Sequence, residues 1–210
     1  MNRGNARLAV FRKDADYVAF VNLLAVTLEH VPVRLVGWCL MTNHFHLVIW
    51  PREDGDLSRF MQRLLTAHVR RYHQHHHTHG EGHIWQGRFK AFPIQQDAHL
   101  LTVLRYVERN ALRANLVSAA EAWAWSSLSA WLMKPRPTML HEGPVDRPRN
   151  WRELVNRPES AAQLEAIRRS VVRGSPFGSD LWTKRTAARL ELTHTLNPRG
   201  RPRKHPKSTG

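Results

Sequence analysis

Two apolar runs, 33–40 and 44–50, stand either side of the dipeptide Thr42-Asn43, and this pairing limits the fold more than any other feature of the chain. Runs this short, rich in β-branched and aromatic residues, read as strands, and so short a connection reads as a hairpin turn. Before the hairpin, Tyr17, Phe20, Val21, Leu24 and Leu28 recur at helical spacing, which predicts a helix over 14–30 with Asp14 near its N-terminus and Pro32 beyond its end. After it, Phe60, Leu64, Ala67 and Val69 predict a second helix from Asp56 or Ser58 to about Tyr72. A histidine- and glycine-rich stretch, 73–83, reads as a loop, and 88–95 as a further strand. Asp97 then caps a third helix whose apolar stripe is Leu100, Val103, Leu104, Val107, Ala111 and Ala114.

The order helix, strand, strand, helix, strand, helix becomes β-α-β-β-α-β once a strand is placed before the first helix. The expected class is therefore α+β, a ferredoxin-like split β-α-β with an antiparallel sheet and a helical C-terminal extension. Few residues precede 11–13, so the first strand is expected to be largely missing. Beyond the domain at 1–133, a proline-rich linker is expected at 134–158, a helical extension at 159–196 and a basic, disordered tail at 197–210.

Charge points to the partner. Lys plus Arg is 32 against 17 Asp plus Glu, a formal net charge of +15. Such a chain suits a polyanion, nucleic acid first, because neutralising phosphates releases counterions. The single cysteine, Cys39, excludes an internal disulfide and a multi-cysteine zinc site. Neither a stretch of about 18 apolar residues nor a signal peptide is present, so the expectation is a cytoplasmic, nucleoid-associated protein with no membrane partner.

Several groups could carry chemistry. Side chains two apart on a strand share a face, so His44 and His46 point the same way and could ligate one metal ion, or could be plain surface or core histidines. Tyr106 and Asn110 lie four apart on a helix, on a polar stripe with Arg109 and Arg113. Trp85, Arg88 and Lys90 interleave aromatic and basic groups, which fits either base stacking or a core aromatic beside solvated charges. His73, His75, His76, His77 and His79 form a tract that could take up metal, adventitiously or by design. In the tail, Arg199, Arg201, Arg203 and Lys204 surround Gly200 and Pro202 like an AT-hook, which lays arginines into a narrow minor groove.

Three segments carry a family resemblance: 43–48 (NHFHLV), 85–89 (WQGRF) and 106–114 (YVERNALRA). In this order and spacing they resemble the HUH-type single-tyrosine transposases, and among them the REP-associated branch, over roughly 2–132. The resemblance implies Tyr106 as nucleophile, and His44, His46 and Asn110 as ligands of Mg²⁺ or Mn²⁺. Its implied substrate is single-stranded DNA bearing REP-like hairpins, contacted also by Arg3 and Asn5, and its implied oligomeric state is a monomer or homodimer. The expected activity is cleavage and strand transfer through a 5′-phosphotyrosine. The alternative is a catalytically inactive DNA-binding regulator of the same fold, which the short first strand favours. An RRM-like RNA-binding module shares the topology, but such modules stack bases on sheet aromatics where this chain has His44 and His46. Ala111 stands where relatives often have proline; alanine suits a helix interior better, so little harm is expected.

Overall fold

A computed structural model describes residues 1–78, 80 and 82–197. The hairpin forms as expected: β2 (Arg34–Met41) pairs antiparallel with β3 (His44–Trp50), with Met41 opposite His44 across the two-residue turn. β1 (Asn2–Arg3) is two residues long and pairs with the other edge of β3, Asn2 opposite Phe45 and Arg3 opposite His44. The sheet order is β1-β3-β2, antiparallel throughout. The class is the expected α+β, with a small antiparallel sheet and helices on both faces.

Strand alternation sorts the two layers. Leu40 and Phe45 face α1 (Asp14–His30) and α2 (Asp56–His76), where Phe11, Phe20, Phe60 and Leu64 close a buried cluster. Cys39, Met41 and Val48 face α3 (Ala98–Glu108), packing with Leu104, Val107 and Ile167. His44 and His46 share the parity of Val48 and therefore also face α3. Gly37, at an irregularity in the pairing of β2, lets α3 approach: a Cβ there would sit 2.7 Å from Leu104 Cδ2. Among the described residues no helix is long and apolar enough to cross a membrane.

Three expectations need correcting. The segment 88–95 is not a strand, because the strand it would pair with is only two residues long. The stretch 84–90, which overlaps its start, does run alongside the N-terminus: Gln86 N donates to Arg3 O, Asn5 N to Ile84 O, and Lys90 N to Met1 O. The N-terminal ammonium returns a bond to Lys90 O, and burial lowers its pKa to about 5. Second, α2 runs on through His76 to a left-handed cap at His77, so part of the expected histidine loop is helix. Third, the expected linker is packed structure. Leu140, Trp151 and Val155 are buried, His141 N bonds Leu35 O, and α6 (Trp151–Asn156) lies against α3. Between α3 and α6 lie α4 (Asn110–Arg113) and α5 (Ser127–Leu132). α7 (Ala161–Arg173) and α8 (Asp180–Arg189) complete the helical extension. The tail residues Arg199, Arg201, Arg203 and Lys204 lie outside the described residues, as does His79.

Candidate active site

Asp97 starts the helix that carries the tyrosine. Its carboxylate accepts from His99 N at 2.8 Å, and also meets the His99 ring at 2.7 Å. From that cap α3 runs to Glu108, breaks at Arg109 and resumes as α4 at Asn110. Glu108 is fully buried at this break. It accepts from Ser127 Oγ and Trp151 Nε1, each at 2.7 Å, and lies 3.6 Å from Arg147 Nη2. Burial raises its pKa, opposed by Arg147 and the two hydrogen bonds. Ser127 Oγ also accepts from Trp38 N, and Arg147 donates to Val36 O. The break between tyrosine and asparagine is thereby tied to β2.

This tie brings Tyr106 and Asn110 against the histidines of β3. The rings of His46 and Tyr106 meet edge to face, centroids 5.9 Å apart, and those of His44 and His46 do the same at 5.2 Å. Asn110 Nδ2 lies 3.4 Å from His44 Nε2, and Asn43 Oδ1 lies 2.7 Å from His44 Nδ1. The natural reading has Nδ1–H donating to Asn43 and the Nε2 lone pair turned to Asn110, a tautomer assigned from the bonds. Sequence reasoning placed Asn43 in the motif without a role, and its role is to orient the first histidine.

Both imidazoles are held neutral. Burial lowers the pKa of His44 to about 4, with smaller contributions from Arg3, the chain's N-terminus and Arg113. Burial likewise pushes His46 well below the usual value, aided by His44 and the same cations. Neutral imidazole is the metal-ligating form, so the donor chemistry of His44 and His46 fits a divalent ion. Asn110 fits less directly. Its Oδ1 accepts from Arg113 Nη2 at 3.1 Å, while its NH₂ faces His44. Ligation through oxygen requires that amide to turn over and give up Arg113.

Tyr106 and Asn110 are more buried than a polar stripe suggests, at 9% and 8% exposure. The expected DNA contacts Arg109 and Arg113 are engaged within the protein. Both pair with Glu159, at 3.4 and 2.8 Å, and the Glu159 side chain is itself only 1% exposed. Arg113 also stacks on the Tyr106 ring at 4.1 Å and donates to Tyr106 O. Nothing local in the sequence announced Glu159, which lies about fifty residues away beyond the proline-rich segment. Trp85 is a core residue, packed on Phe11, Phe45 and His68, and has no open face for stacking a base. Arg3 lies beside His44. Asn5 and Arg88 are exposed and line, with Arg70 and His83, a surface groove of about 780 Å³. Lys90 is exposed at the end of the same segment.

Comparison with known proteins places the chain in a family. The family model for IS200-like transposases matches residues 1–110, which include every member of the His44, His46, Tyr106 and Asn110 group. A REP-associated tyrosine transposase of Haemophilus influenzae is 28% identical over 121 residues, covering 53% of this chain and 69% of that protein. A solved REP-associated tyrosine transposase, bound to a REP hairpin, superposes with a TM-score of 0.52 at 17% identity. That match spans 68% of this chain and 81% of the other, and shows a shared fold. The chain belongs to the IS200-like transposase family.

Proposed function

We propose that this transposase cleaves and rejoins single-stranded DNA next to REP-like hairpins, with Tyr106 as the nucleophile. The observation that carries the reading is the meeting of Tyr106, His44, His46 and Asn110 on one face of the sheet. The Tyr106 oxygen attacks the scissile phosphorus, and a phosphotyrosine ester forms as the P–O3′ bond breaks. The bond's electron pair leaves with the 3′ oxygen, which is protonated to a hydroxyl, and the phenol's proton passes to solvent. The product is a 5′-phosphotyrosine and a free 3′-hydroxyl. Because the ester keeps the phosphodiester's bond energy, another 3′-hydroxyl can displace the tyrosine without ATP.

A phenol with an ordinary pKa near 10 is a weak nucleophile at neutral pH. His44 and His46 would hold Mn²⁺ or Mg²⁺, which when bound supplies Lewis acidity at the phosphate. Two imidazoles suit Mn²⁺ better than Mg²⁺, which prefers oxygen ligands. Arg113 fixes Tyr106 and Asn110 relative to one another. The exposed basic groups around the Asn5–Arg88 groove, together with the net charge, support a DNA partner, and a partner of that kind implies a cytoplasmic protein.

The test is a covalent adduct between the protein and hairpin-bearing single-stranded DNA, formed with Mn²⁺ and detected by denaturing electrophoresis. Wild type is expected to form it and Tyr106→Phe to form none. An adduct that survives Tyr106→Phe overturns the assignment. Hairpin binding by wild type without any nicking, with metal supplied, would favour the inactive regulator.

A further inference from the structure

A second group of metal-ligating side chains lies on the opposite side of the sheet from Tyr106. Asp16, in the first turn of α1, and His75 and His76, in the last turn of α2, place one ligand atom each within 4.8 Å of one another. We propose that these three residues form a zinc site joining α1 to α2, with its fourth position open to water, separate from the Tyr106 centre.

The carboxylate is already oriented. Asp16 Oδ2 accepts from the backbone N–H groups of Arg12 and Lys13 at 2.8 and 3.1 Å, which leaves Oδ1 turned toward His76 Nε2, 3.8 Å away. Zinc–ligand bonds near 2.0–2.2 Å put neighbouring donors roughly 3.4 Å apart in a tetrahedral shell. The Asp16–His76 gap needs to close by a few tenths of an ångström, and the gaps to His75, within 4.8 Å, by up to roughly 1.4 Å, which a turn of the exposed His75 ring can supply. The His76 ring is backed by Tyr72, centroids 4.3 Å apart, and meets His75 at 4.9 Å.

A second observation points to a ligand in the same place. The cluster borders a hollow of about 70 Å³ that His68 also lines. His68 is 6% exposed, and its Nδ1 has no hydrogen-bond partner among the described residues. A three-ligand zinc ion keeps a water in its fourth position, and a hollow of this size has room for one beside a buried polar atom. The site also lies at the C-terminal end of a long helix, where the backbone dipole favours a cation. Arg71 borders the hollow, so an ion is held there by coordination bonds rather than by an excess of negative charge. Two imidazoles and one carboxylate select zinc over magnesium or calcium, whose oxygen shells the cluster does not supply. The metal would brace the loop ahead of α1, whose Val10 and Phe11 amides bond Thr42 O beside the Asn43-His44 pair.

The test uses the full-length protein with His44→Ala and His46→Ala in place, so that the catalytic pair does not contribute. Co²⁺ is the spectroscopic probe, Zn²⁺ the competitor, and thermal unfolding a second readout. One four-coordinate Co²⁺ per chain is expected, displaced by Zn²⁺, with Tm raised by Zn²⁺ and restored by a chelator. Asp16→Ala and His76→Gln are each expected to weaken binding at least tenfold and to remove the Tm rise. His77→Gln with His79→Gln is expected to change neither. Binding that survives Asp16→Ala and His76→Gln, or that disappears with His77 and His79, overturns the site and leaves only adventitious uptake by the histidine tract. Either result leaves the Tyr106 reading untouched, because the adduct assay does not depend on this cluster.

Discussion

Arg113 shows how much one side chain can decide. Its guanidinium touches the Tyr106 ring, the Tyr106 carbonyl, the Asn110 amide oxygen and Glu159. A lysine keeps the charge but lacks the planar fork that reaches several acceptors at once. Arg113→Lys is expected to lower the single-turnover cleavage rate at saturating DNA at least tenfold, with hairpin affinity within about twofold of wild type. A large loss of affinity with an unchanged rate would make Arg113 a DNA contact instead. His68 makes a different prediction. Burial holds its pKa near 4, with Asp16 opposing and Arg71 reinforcing. The unfolded imidazole titrates near 6.5, so between about pH 6.5 and 4 the unfolded state binds more protons. Stability from this group is complete above pH 6.5 and is lost as pH falls toward 4, on the order of 3 kcal/mol. Urea titrations of wild type and His68→Phe at pH 7 and 4.5 check it. The variant should lose part of the acid sensitivity, the remainder belonging to His44 and His46, and equal slopes would exclude the group.

At the scale of elements, what was legible followed a repeating pattern. The period of Tyr17, Phe20 and Leu24 marked α1 to its observed ends, and Asp97 marked the start of α3. Alternation placed His44 and His46 on one face, and the four-residue spacing brought Asn110 back to Tyr106. The errors arose where a partner far along the chain decides the local state. Residues 88–95 have strand-like composition, but a strand needs a neighbour with enough backbone to pair, and β1 offers two residues. His73, His75 and His76 have a loop's polarity, yet they continue an established helix whose last turn meets Asp16. The prolines of 135–149 suggested a linker, because the sequence does not show that Leu140 and Arg147 are covered by β2 and Trp131. Glu159 belongs to the same class: its role exists only once α4 is beside it.

Across the whole molecule the Tyr106 face of the sheet and the segment 127–155 are one body. Glu108 is fully buried, and its partners Ser127, Arg147 and Trp151 all lie later in the chain. Trp151→Ala removes a 4%-exposed indole and one of the carboxylate's donors together. A loss of about 3–5 kcal/mol is expected from the cavity and the weakened carboxylate, read by denaturant unfolding. A chain cut after residue 133 is expected to show no cooperative transition. A stable, cooperatively unfolding 1–133 fragment would instead make the remainder an appendage. The carboxylate at the α3–α4 break also sets an order in time. Its partners lie up to 43 residues downstream, and synthesis runs from the N-terminus. On the ribosome, α1, α2 and the hairpin can associate early, while the frame around Tyr106, the residue proposed as nucleophile, must wait until Trp151 has left the exit tunnel. A shorter nascent chain therefore carries Tyr106 without the partners that fix its helix, so the cleavage proposed for this tyrosine would have to wait for residues beyond 151.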